Sequence, residues 1–167
     1  MEAKSKSYRM GTIPALYDMQ TAFFRNAIKG ISEKDAHSRL NTKANHISWL
    51  VGSLVQQRFE LARSLDKSGK IYKQKADDIF KDNQGIRDGV DYPSLDQFKT
   101  DWEIISPDLR ELLINADDAQ LDSAFEMPGE TMTVFDIVSF ISYREANCIG
   151  QIALWRRLLG YGPMKYN

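Results

Sequence analysis

The chain of 167 residues has one cysteine, two histidines and five prolines. A single cysteine excludes an internal disulfide framework and fits a reducing cytoplasm. It also argues against a structural zinc site built on thiolates. Two histidines leave little material for a site rich in imidazole. No apolar run approaches the length of a membrane span. The opening MEAKSKSYRMGTIP has no continuous apolar stretch of the kind a secretory signal needs. No charge sign dominates either: 22 Lys and Arg stand against 23 Asp and Glu, a net charge of -1. That balance is unlike a surface built throughout to neutralise phosphates. Internal repeats, low-complexity tracts, interdomain linkers and runs of alternating residues that demand a sheet are also missing.

What remains is an ordinary globular composition, 43% hydrophobic and 27% charged. The chain reads as one domain over 1–167, long enough to bury a full core. The dominant signal is helical periodicity. Thr133 to Gly160 predicts one long helix, with Thr133 as N-cap, Asp136 at N3 and Gly160 at the left-handed C′ position. Ile137, Ile141, Arg144, Cys148, Gln151 and Leu158 recur at spacings of three, four or seven, so this stripe is expected to face the core. Arg144 and Cys148 interrupt it one turn apart.

Three further helices precede it. The first is capped by Thr12, opened by Ile13 and Pro14, carries a stripe of Leu16, Met19, Phe23 and Ala27, and ends at Gly30. A connector with about one helical turn follows over 31–41. The second helix runs from about Lys43 to Lys67 on Ile47, Leu50, Val51, Leu54, Leu61 and Leu65, with Ser53 on the flank of that face. Residues 68–93 read as a surface excursion, with a short helix around Lys75 to Phe80 and the most mobile part over 82–91. Ser94 and Gln97 form a capping box for the third helix, whose stripe is Leu95, Phe98, Trp102, Ile105, Leu109, Leu112 and Leu113. Pro107 is expected to kink or divide it. Residues 116–125 read as a connector, 127–130 as a turn, and the tail from Tyr161 as a segment lying on the helices through Tyr161 and Met164. Periodicity alone therefore makes the fold an all-α helical bundle.

Two motifs stand out together. Asn45-His46-Ile47-Ser48-Trp49-Leu50-Val51-Gly52-Ser53 lies on the second helix. Arg144-Glu145-Ala146-Asn147-Cys148-Ile149-Gly150-Gln151-Ile152, followed by Arg156-Arg157-Leu158-Leu159-Gly160, lies on the fourth. The pair resembles the DinB/YfiT-like superfamily, in which N-x-I-x-W-L-x-G-H on one helix meets H-E-A-x-H-x-G-Q-I and R-x-L-G on a later one. The resemblance spans nearly the whole chain. It implies an up-down-down-up four-helix bundle, a homodimer, and relatives that include hydrolase-like metalloproteins and thiol-dependent S-transferases. In that family three histidines commonly hold a divalent metal, two of them four residues apart on the last helix.

This chain departs at all three positions, which are Ser53, Arg144 and Cys148. An arginine stays protonated and cannot ligate. A hydroxyl is a poor substitute for imidazole, and one thiolate is not a site. The expectation is a degenerate metal site and no metal or other cofactor. Ser53, Arg144 and Cys148 then line a small polar pocket, with His46 and Gln151 as possible neighbours. The chemistry allows a small anionic ligand held by Arg144 and Ser53, or a thiol ligand. It also allows a metal-independent, thiol-dependent transferase or hydrolase-like enzyme. Cys148 reads as a nucleophile or, more simply, as a small buried hydrophobe. If buried, Arg144 needs a partner such as Glu60, Asp101 or Glu103. Glu145 is assigned to a different face. His46 reads as structural or solvated, and His37 has no partner in sequence. Gly150 and Gln151 are read as packing residues, and Trp49, Trp102 and Trp155 as core or dimer-interface aromatics. Arg156, Arg157 and Lys165 form a modest basic cluster suited to a helix C-terminus, which outweighs nucleic-acid binding.

Overall fold

The computed structural model describes residues 5–81, 84–127 and 129–166. It is mostly helical. The elements in order are a 3-10 turn at Tyr8–Met10, α1 Ile13–Ile28, α2 Glu33–Ala36, α3 Ile47–Leu65, α4 Asp77–Phe80, α5 Leu95–Asn115, α6 Asp118–Leu121, β1 Ala124–Met127, β2 Glu130–Thr133 and α7 Val134–Leu158. No helix among the described residues is long and apolar enough to cross a membrane.

Local chemistry sets most boundaries. Thr133 Oγ1 accepts from the Asp136 amide while the Asp136 carboxylate accepts from Thr133, a reciprocal capping box that starts α7. Ser94 caps α5 through the Gln97 amide. At α3 the cap is an imidazole: His46 Nδ1 accepts from the Trp49 amide, 3.1 Å. The expected Thr12 cap is not made, because Thr12 already has helical dihedrals and its side chain bonds no amide. Pro107 does not divide α5, which is helical throughout. The region read as connector and turn holds a two-stranded antiparallel ribbon, with Phe125 opposite Met132 and the chain reversing at Gly129, φ +85°. Four-residue strands are too short for alternation to stand out in sequence.

The four long helices enclose one core. Across α1 and α5, Tyr17 Oη donates to Ser106 O, Trp102 Nε1 to Thr21 O, and Arg110 pairs with Asp18. Between α1 and α7, Gln20 donates to Ser142 O and Arg156 to Ala27 O. From α7 to α3 and its leading residues, Trp155 donates to Asn45 O and Arg144 to Ser53 Oγ. Gly52 lets Phe80 and Phe98 press against α3: a Cβ there would lie 2.4 Å from one ring and 2.7 Å from the other.

Two of the expected core faces are rotated. In α1 the buried residues are Pro14, Tyr17, Gln20, Phe24, Ala27 and Ile28, whereas Leu16 and Met19 are exposed and Phe23 is only partly covered. In α7 they are Val134, Ile137, Val138, Glu145, Cys148, Ile149, Ile152, Trp155 and Arg156, whereas Gln151 and Leu158 are exposed. Both helices carry apolar residues on two sides, so spacing alone does not say which stripe turns inward. The 68–93 segment is not merely superficial either, since Tyr72, Ala76, Phe80 and Tyr92 belong to the core. The part read as most mobile, 82–91, begins with two residues outside those described.

Candidate functional site

Ser53 on α3 and Arg144 on α7 meet along one seam, and Cys148 follows Arg144 one turn later on α7. Ser53 is buried and donates to Leu50 O, 2.9 Å. Its oxygen accepts from Arg144 Nη2 at 3.1 Å, and Gln57 Oε1, one turn further along α3, accepts from Arg144 Nη1 at 2.7 Å. Arg144 is half-buried and takes neither Glu60, Asp101 nor Glu103 as partner. Among the described residues it forms no ion pair. The remaining face of Gln57 is a buried Nε2 with no acceptor, and Trp49 Nε1, two turns back on α3, is in the same condition. Gln57 Nε2 therefore leaves a buried donor beside Arg144 that no acceptor meets among the described residues.

Cys148 lies one turn beyond Arg144 and is buried. Burial pushes its thiol pKa up; the Arg144 charge pulls the other way and is the smaller effect. At neutral pH it is a thiol packed in the core, unlike a reactive thiolate. Gln151 is exposed and donates to Asn147 on its own helix, so it neither joins the seam nor packs across to another helix. Gly150 has open space where a Cβ would be, so close approach is not its role in this structure.

The carboxylate beside Arg144 is committed elsewhere. Glu145 points into the core and binds Arg58 bidentately, at 2.6 and 2.7 Å. Arg58 is fully buried, stacked 3.4 Å from the Trp102 ring and 3.9 Å from Tyr17. Its Nη1 donates to Thr21 Oγ1 and Ser106 Oγ, each at 2.8 Å. Those hydroxyls hand their own protons to Tyr17 O and Trp102 O. Every charge here is neutralised and four of the five guanidinium donors are bonded, so the cluster is a structural lock. Burial first, and the Glu145 charge with it, holds the Tyr17 hydroxyl well above the ordinary phenol range. A cleft of about 280 Å³ between α1 and α5 shares Tyr17, Thr21 and Ser106 with this cluster, and those three hydroxyls already donate to main-chain carbonyls. Sequence reasoning missed Arg58. The one available signal was an arginine interrupting the apolar pattern of α3 beside Phe59.

His46 and His37 lie together at the start of α3, ring centroids 5.3 Å apart, with Tyr92 5.1 Å from His46. Their tautomers decide what the pair can do. His46 Nδ1 accepts from an amide, so its proton sits on Nε2. His37 Nδ1 donates to Glu33 O, 2.8 Å, so its lone pair sits on Nε2. One donor nitrogen and one acceptor nitrogen do not make a chelate. Burial, and after it the charges of His37 and Arg39, push the His46 pKa down to about 4. His46 is two helical turns from Ser53 and does not border the seam. Among the described residues no group of three or more His, Cys, Asp or Glu is placed to hold a metal ion. Trp102 is fully buried, Trp155 buried and Trp49 half-buried, so all three belong to the helix interior or its edge. Arg156 is also buried and caps the end of α1 through Ala27 O and Lys29 O, which dissolves the expected basic cluster. No family model and no curated protein matches the chain, so a reading of the seam rests on the seam's own geometry.

Proposed function

We propose that the protein is a DinB/YfiT-like bundle in which the metal position has become a seat for a small anionic group, and that it binds this ligand without catalysing a reaction on it. The single observation that carries the reading is Arg144: a half-buried guanidinium held by Ser53 and Gln57, without an ion-pair partner among the described residues. Burying a cation without a counter-charge is costly, and an oxyanion reaching Nε or the open edge of the guanidinium relieves that cost. The unpartnered donor on Gln57, which also holds Arg144, favours an acceptor-bearing ligand as well. Support for the up-down-down-up arrangement comes from the order of the bonded pairs. Residue numbers rise together along α1 and α7, from Gln20 with Ser142 to Ala27 with Arg156, and run oppositely for α1 with α5 and for α3 with α7. The protonated, packed thiol of Cys148 weighs against a role as nucleophile in the transferase reading.

Calorimetric titration with inorganic phosphate and with reduced glutathione, which carries carboxylates and a thiol, tests this. Saturable binding of either probe is expected, weakened ten- to a hundredfold by Arg144→Gln, the loss that removing a charged hydrogen bond brings. Absence of binding by both, or binding indifferent to Arg144, overturns the proposal. A stoichiometric zinc or nickel ion lost in Cys148→Ala would restore the metal reading.

A further inference from the structure

A pocket of about 240 Å³ lies on the α1 side of α7, whereas Arg144 turns to α3. Leu16, Met19, Gln20 and Phe23 follow one another at three, one and three residues, so α1 presents them on one face. α7 contributes Ile149 and two residues with little or no side chain, Ala146 and Gly150. The third wall is the segment after α7, which carries Met164 and Tyr166. That segment is tied down: Lys165 O accepts from Asn26, and the Tyr166 ring meets Phe23 edge to face, centroids 5.2 Å apart.

Two features separate this pocket from a packing defect. The first is Gln20, 6% exposed. Its Nε2 donates to Ser142 O at 2.7 Å, which fixes the orientation of the amide, and its Oε1 meets no donor among the described residues. A buried acceptor without a donor is costly, so such an atom calls for a partner. Water suits it poorly, because a water needs about two to four polar partners. Gln20 Oε1 is the one buried, unpartnered side-chain atom found on these lining residues. The second feature is Gly150. A Cβ there would meet nothing within 4 Å, so a residue that weakens the helix keeps this space open.

We infer that the pocket binds a small neutral aromatic molecule with one hydrogen-bond donor, a ring of the size of indole or a substituted phenol, whose N–H or O–H donates to Gln20 Oε1. The class follows from the lining. Among the described residues no charged side chain lines the pocket, and the orphaned atom is an acceptor. A carboxylate or phosphate would be buried there without a counter-charge, while a neutral donor is held. Phe23 and Tyr166 supply ring edges, and Met19 and Met164 supply polarizable thioethers; both favour an aromatic ring over an aliphatic chain. The volume suits a bicyclic ring, since a dry apolar cavity of about 150 Å³ already takes benzene. Oε1 is closed to solvent, so the ligand enters by moving the unbranched Met19 or the Tyr166 ring, which are 50 and 71% exposed.

The inference goes beyond the anionic ligand on Arg144, and the two fail independently, because Arg144→Gln leaves this lining unchanged. Titration of the full chain with indole, followed by nitrogen–proton correlation spectra, is expected to saturate and to shift the Gln20 side-chain amide resonance. Benzothiophene keeps the shape of indole and lacks the N–H, so it is expected to bind roughly tenfold more weakly. Gln20→Met removes the acceptor at similar volume and should bring the two affinities together. Gly150→Leu fills the pocket from an exposed helix position, so it should keep the wild-type far-ultraviolet circular dichroism and lose both ligands. Equal affinities of the wild type for indole and benzothiophene overturn the inference. So does binding that survives Gly150→Leu, or the absence of saturation up to the solubility limit of indole.

Discussion

Adjacent residues of opposite charge have opposite fates in this protein. Arg144 stays at the edge of α7 with two neutral acceptors, while Glu145 turns into the core and neutralises Arg58. The asymmetry matters energetically, because a buried pair is close to neutral when intact and costly when halved. Glu145→Gln leaves the Arg58 guanidinium in the core without a counter-charge and is expected to cost about 3–5 kcal/mol. Replacing both partners, Arg58→Met with Glu145→Met, removes the orphaned charge and should recover most of that loss. Chemical denaturation of the two variants checks the ordering, and a double variant no better than the single one would mean that the stacking of Arg58 between Tyr17 and Trp102 outweighs its charge. The same observable leaves Arg144→Gln nearly unchanged, since a half-exposed residue with neutral partners carries little of the stability.

At the scale of elements, two glycines in helix interiors have contrary reasons for being there. Gly52 of α3 is pressed by the rings of Phe80 and Phe98, both packed in the core, whereas Gly150 of α7 faces open space. Gly52→Ala gains about 1 kcal/mol of helix propensity but drives a methyl into rings that cannot swing away, so a net loss of about 1–2 kcal/mol is expected. Gly150→Ala meets nothing and should stabilise the monomer by up to about 1 kcal/mol. Thermal melts at low protein concentration read both signs, and a gain for Gly52→Ala would show that Phe80 is free to move. The helices themselves were legible in the sequence because caps are local: Ser94, Thr133 and the glycine after α7 mark their ends by their own chemistry. Which stripe of α1 and α7 turns inward was not legible. Leu16, Met19 and Phe23 have the same spacing as Tyr17, Gln20 and Phe24, and only the neighbouring helices decide between them. Ser53 and Arg144, which share a hydrogen bond, were legible as neighbours because helix spacing and motif coincided there. Gln57, which completes the arginine's hydrogen bonds, carried no such mark, and Arg58 stood among apolar residues where an isolated charge reads as noise. The ribbon of β1 and β2 was hidden by its shortness.

For the whole molecule, ring contacts tie the start of α3 to Tyr92 and Phe80 of the 68–93 segment, and pH acts at that junction. His46 caps α3, packs against Tyr92, which in turn meets Phe80, and so joins the segment to the core. The groups facing it are His37, Arg39, Tyr92 and Asp88; the first two oppose its protonation and Asp88 favours it more weakly. With a pKa near 4 in the folded chain and 6.5 otherwise, the imidazole is neutral in both states above pH 6.5 and adds no pH dependence there. Between those values the unfolded chain takes up a proton that the folded chain refuses, so stability falls as the pH is lowered. The loss reaches about 3 kcal/mol by pH 4 and is complete only below it. Protonation also removes the Nδ1 acceptor, so the penalty falls on the cap and is transmitted to the core through Tyr92 and Phe80. Asp101, whose pKa burial raises, works in the opposite direction and makes the net curve shallower. The difference between wild type and His46→Asn isolates the imidazole, because asparagine caps as well and does not titrate. Denaturation midpoints measured from pH 7 to pH 4 should fall more steeply for the wild type than for His46→Asn, with the two curves parallel above pH 6.5. Curves parallel throughout would mean that the His46 ring takes up its proton in the folded chain as easily as in water, and that the link between the cap and the core is open to solvent.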